Sequence, residues 1–130
     1  MKREIKFRGK SKIYGCWRFG DLYRTNLEGG VAIQFYDEVD GWMTEDVNPK
    51  TIGQFTGVLD GRNQEIYEND IVATYFDGHC TYQGEVRFEA GRFIVSTNNG
   101  LLTNIGGKSW LIIGNIHDNP ELMKGGEKCQ

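Results

Sequence analysis

The chain is 130 residues long and 14.8 kDa, a length that fits one domain with at most a small appended piece. Its composition, 38% hydrophobic and 12% aromatic, excludes a disordered chain, and no run approaches the roughly 18 apolar residues a membrane span needs. A net charge of −3 gives no global drive toward nucleic acid or an anionic membrane.

In chain order the first element is Glu4-Ile5-Lys6-Phe7-Arg8, where Ile5 and Phe7 face one way and Lys6 and Arg8 the other, the alternation of a half-buried strand. Further β-branched and aromatic runs lie at 13–19, 31–36, 54–58, 71–76, 85–88, 92–96 and 110–116. Between them stand Glu28-Gly29-Gly30, Asp40-Gly41, Asp60-Gly61, Asp77-Gly78, Ala90-Gly91 and Asn99-Gly100. Asp-Gly and Asn-Gly supply the positive φ of hairpin turns. No sustained helical period occurs. Short helical turns are expected at Asn48-Pro49-Lys50-Thr51 and at Asn119-Pro120-Glu121-Leu122, where a capping residue precedes a proline. The pattern predicts a mainly β chain, either a sandwich or a small barrel. A soft boundary lies near residues 40–50, either a join between two subdomains or an acidic loop, and the carboxylates at 37–46 read as a solvated acidic face.

The chemistry-bearing residues form no reactive constellation. Gly106-Gly107-Lys108-Ser109 resembles the end of a phosphate-binding loop, but Leu102 stands where its first glycine belongs and a strand-like run follows. His79-Cys80 and His117-Asp118 are the paired ligand types, and adjacent strand residues point to opposite faces. Neither a metal nor an organic cofactor is expected, and no catalytic residue is assigned. Three cysteines cannot close a complete disulfide framework. With no signal-like apolar region behind the basic N-terminus, unpaired thiols in a reducing cytoplasm are the expectation.

Charge is unevenly distributed. Residues 1–18 hold seven basic residues against Glu4, a net +6, and the other 112 hold 8 basic and 17 acidic residues, a net −9. On one uninterrupted strand Lys6, Arg8, Lys10 and Lys12 would share a face, with Trp17 and Arg18 close behind. These six residues are the candidate binding surface, able to combine phosphate contact with stacking. The favoured alternative is that they form a polar strand face neutralised by the chain's own acids.

From position 51 the sequence reads Thr51-Ile52-Gly53-Gln54-Phe55-Thr56-Gly57, then Asp60-Gly61, then Glu65-Ile66-Tyr67-Glu68-Asn69-Asp70-Ile71-Val72. With Ile5-Lys6-Phe7-Arg8 before and Ile113-Gly114-Asn115-Ile116-His117-Asp118-Asn119-Pro120-Glu121-Leu122 after, the chain resembles the YopX family of small phage and prophage proteins. Asn69 departs from the glycine common there, and asparagine tolerates the left-handed region. The resemblance implies an SH3-like barrel within a mostly β protein, a phage or prophage origin, and no catalytic residues. The expected organisation is an N-terminal β segment over 1–47 with the basic strand, an SH3-like barrel region over 48–124, and a frayed tail over 125–130. The expected function is a non-enzymatic accessory or adaptor module that binds a host or phage protein in the host cytoplasm and self-associates. The alternative is a nucleic-acid-associated protein using the basic segment.

Overall fold

The computed structural model describes residues 4–26, 29–106 and 110–126. Eleven strands are present among them: β1 (Phe7–Lys10), β2 (Trp17–Arg24), β3 (Val31–Asp37), β4 (Gly41–Asp46), β5 (Gly53–Leu59), β6 (Glu65–Tyr67), β7 (Asp70–Phe76), β8 (His79–Glu89), β9 (Arg92–Thr97), β10 (Leu102–Asn104) and β11 (Leu111–Asn115). Two 3-10 turns, Pro49–Thr51 and Pro120–Gly126, are the helical pieces, at both expected prolines. At the first, Asn48 caps the turn by accepting from the Lys50 N–H at 3.0 Å.

The strands form two antiparallel sheets, ordered β4-β3-β2-β1-β5-β6 and β10-β9-β8-β7-β11. The chain divides into two compact units, Met1–Phe55 and Thr56–Gln130. The first is a meander from β1 to β4, with Phe7 and Arg8 also pairing with Gln54 and Gly53 at the start of β5. In the second, β7 to β10 form a meander and β11 returns beside β7. Its core packs Ile66, Val72, Val86, Val95, Ile105 and Trp110 together, burial that supplies most of the folding drive. The described pairings identify an open five-strand order and no closed barrel.

Three local expectations change. The acidic stretch at 37–46 is a hairpin turn and strand β4, not a loop. The basic strand ends at Lys10, because the chain turns tightly over 11–16: the Gly15 N–H donates to the Ser11 carbonyl, and the Ser11 Oγ accepts from the Ile13 and Tyr14 N–H groups at 3.2 and 3.0 Å. Cys80 is disulfide-bonded, whereas Cys16 is a free, exposed thiol. An odd cysteine count forces one thiol to stay unpaired but permits one bridge, so unpaired thiols no longer argue for a reducing compartment. Residues 127–130 of the expected frayed tail lie outside the described residues.

Candidate functional site

Strand pairing decides where the candidate residues go. Arg8 lies opposite Phe19 and Lys10 opposite Trp17, so these four side chains share one face of the first unit's sheet. Arg8 is only 6% exposed, its guanidinium lying 4.5 Å from the Trp17 ring centre, with the Lys10 ammonium 5.7 Å from the same ring. Lys6 sits 5.8 Å from the Phe55 ring centre and 3.5 Å from the Glu4 carboxylate. Lys12 is exposed in the turn beyond the strand, its N–H donating to the Asp46 carbonyl at 3.0 Å. Arg18 alternates to the opposite face. The structure therefore brings Lys6, Arg8, Lys10 and Trp17 together and separates Lys12 and Arg18 from them.

On that opposite face the Arg18 Nε donates to the Glu45 Oε2 at 3.0 Å, and the guanidinium lies 4.9 Å from the Phe35 ring centre and 5.9 Å from that of Tyr14. The hydrogen bond to Glu45 raises the Arg18 pKa. Burial pushes the Glu45 carboxyl up, but its hydrogen bonds from Arg18 and Ser11 outweigh this and hold it below the usual carboxylate range. This pair forms part of a cleft of about 410 Å³ whose rim carries Asp37, Asp40 and Asp46. Asp37 is held low by the backbone N–H groups of Asp40 and Val39, its Oδ1 accepting both at 3.0 and 2.7 Å.

Sequence reasoning missed the sheet's aromatic face. Tyr36 lies opposite Trp42, the rings meeting edge to face with centroids 5.5 Å apart. The registers place both on the face of Trp17, Phe19 and Tyr23. Tyr36 is 61% and Trp42 67% exposed, and Phe19 and Tyr23 are exposed too. The signal was present as Asp40-Gly41 followed by alternating Trp42-Met43-Thr44-Glu45-Asp46, a hairpin signature that the acidic residues obscured.

Among the described residues no group of three or more His, Cys, Asp or Glu side chains is placed to hold a metal ion, and no helix is long and apolar enough to cross a membrane. Of the loop resembling a phosphate site, residues 107–109 lie outside the described residues, and strand β11 rather than a helix follows.

The residues carrying the family resemblance hold the second unit together. Asp60, 5% exposed, accepts from the Arg62 and Gln64 N–H groups at 2.8 Å each and from the Ile112 N–H at 3.1 Å. Burial raises its pKa, and the N–H groups of Gln64, Ile112 and Arg62 together with the Arg62 charge reverse that to a net lowering. The Asp70 Oδ2 accepts from the Tyr67 N–H at 2.8 Å across Asn69, whose φ of 74° is left-handed. The Asn115 Oδ1 accepts from the His117 and Asp118 N–H groups at 3.0 and 2.8 Å. These contacts fasten turns.

No curated protein matches the chain. The crystal structure of protein EF1440 from Enterococcus faecalis superposes with a TM-score of 0.58 at 20% identity, covering 95% of this chain and 100% of that one, which shows a shared fold. The family described as YopX protein matches residues 6–124. The turn-fastening residues fall within that span, and the chain belongs to the YopX family.

Proposed function

We propose that the chain is a non-enzymatic protein-binding module, an accessory or adaptor of phage or prophage origin. One observation carries the reading: Phe19, Tyr23, Tyr36 and Trp42 stand exposed on one face of the first unit's sheet. Tyrosine and tryptophan are the side chains that anchor protein interfaces, with large area and few torsions to freeze. Scattered exposed apolar residues are ordinary, whereas a shared face of aromatics supports the reading of a binding surface.

The nucleic-acid alternative is weakened by the same geometry. Arg8 is packed on Trp17, Lys6 is near Glu4, and Arg18 is bonded to Glu45, so a phosphate would have to compete for each. The SH3-like barrel belongs to this proposal as well. A four-strand meander with the fifth strand returning beside the first is the connectivity such a barrel uses.

Placing a benzophenone amino acid at Tyr36 in the full chain and irradiating cells tests the proposal. The expected product is one discrete protein adduct that survives nuclease and is lost with Trp42→Ser. No adduct, or one that nuclease removes, would overturn it.

A further inference from the structure

Strand β4 ends its sheet order, with β3 as its one neighbouring strand among the described residues. Its backbone phase follows from two hydrogen bonds. The Val47 N–H donates to the Val31 carbonyl at 3.1 Å, so the odd-numbered backbone groups turn toward β3; the Asp46 carbonyl accepts from the Lys12 N–H at 3.0 Å, so the even-numbered groups turn outward. Trp42 and Thr44 therefore present their N–H and C=O groups along the edge, and among the described residues the 11–16 turn covers its Asp46 end. Many proteins blunt such an edge with charge or proline. Here the even side chains Trp42 and Thr44 lie on the aromatic face, and the odd side chain Met43 lines the cleft with Tyr14 and Phe35.

An added strand would inherit this alternation, because directly opposed residues share a face. Its residue opposite Met43 would enter the cleft, and the residues on either side would lie against Trp42 and Thr44. The cleft holds the side chains of Asp37, Asp40 and Glu45 against Arg18, a net −2, the even-numbered Asp46 side chain lying on the aromatic face, and Arg18 is already bonded to Glu45. Lys12, exposed at the covered end, is the nearby opposing charge. An arginine or lysine between two apolar residues matches both faces, its cation among carboxylates and its neighbours on the indole.

From this we infer that the β4 edge docks an extended segment of another protein by strand addition, with a cation entering the acidic cleft between two apolar side chains. Main-chain bonds to Trp42 and Thr44 give the affinity, and the cleft gives the specificity. The inference rests on the protein-binding reading and names its site.

Selection of displayed random heptapeptides on the intact chain tests it. Enriched peptides should carry a central Arg or Lys flanked by apolar residues, and bind less tightly as salt rises. Two variants should each weaken binding at least about tenfold, equivalent to roughly 1.4 kcal/mol. One is Asp37→Asn with Asp40→Asn. The other is Thr44→Pro, which removes an outward N–H, a change edge strands tolerate. Circular dichroism checks that Thr44→Pro folds, and N-methylation of the peptide's own pairing amides provides the reciprocal loss if it does not. No enrichment, enrichment without a central cation, or binding indifferent to both the variants and N-methylation would overturn the inference. So would a dimer that Thr44→Pro converts to monomer, since a second copy would then occupy the edge. A Tyr36 adduct that persists through any of these results leaves the protein-binding reading standing and removes only the β4 site.

Discussion

Asp60 shows how a single carboxylate can close a fold. Its two oxygens satisfy three backbone N–H groups, one of them 52 residues away on Ile112. Asp60→Ala leaves buried donors unmet and should cost about 2–4 kcal/mol in urea unfolding. Because its pKa is lowered in the folded state, its contribution is fully present above the unfolded value near 4 and is lost as pH falls through the folded value. Asp60→Asn should therefore flatten the acid limb of the stability curve, and an unchanged limb would contradict the assignment. Asn69 makes a conformational prediction. At φ 74°, Asn69→Gly should change stability by less than about 1 kcal/mol, whereas Asn69→Val should cost more. The Asp60-Gly61 turn and the Asn48 cap were legible because their chemistry is local. The reach of Asp60 to Ile112 was not, since no short pattern encodes a contact across 52 positions.

Strands were legible where short apolar, β-branched runs stood between clear turn signals, as in β3, β7 and β9. Gly20 hid the extent of β2, because a glycine after Phe19 reads as the end of a run. In the structure a Cβ at Gly20 would stand 2.1 Å from the Gln34 carbonyl oxygen, so the glycine allows β3 to approach and the strand continues to Arg24. Gly20→Ala should destabilise the first unit by more than about 1 kcal/mol, read by thermal unfolding; an unchanged Tm would deny the close approach. Strand β4 was concealed by its acids, and the three-residue β10 is too short for periodicity to reveal. The basic stripe was half legible. In β1 the alternation leaves Arg8 and Lys10 on one face, but extending it to Lys12 assumed a straight chain where Ser11 forms a turn. Cores are more predictable: Ile66→Ala, fully buried in the second unit, should cost about 2–5 kcal/mol.

At the scale of the whole molecule, open sheet edges and exposed leucines argue for self-association. Strand β10 ends its sheet, and Leu101 and Leu102 are exposed there. A dimer is expected, with light scattering at micromolar concentration giving about twice 14.8 kDa and Leu102→Lys returning the monomer mass. The central claim is that the basic N-terminal residues serve the chain's own aromatics and acids, leaving the exposed aromatic face for a protein partner. Fluorescence anisotropy with random duplex and single strands, across roughly 25 to 200 mM salt, tests it most directly. Negligible affinity even at the lowest salt is predicted. Sub-micromolar binding, falling with a log–log salt slope of about −3 to −4 and abolished by Lys6→Glu with Arg8→Glu, would contradict it.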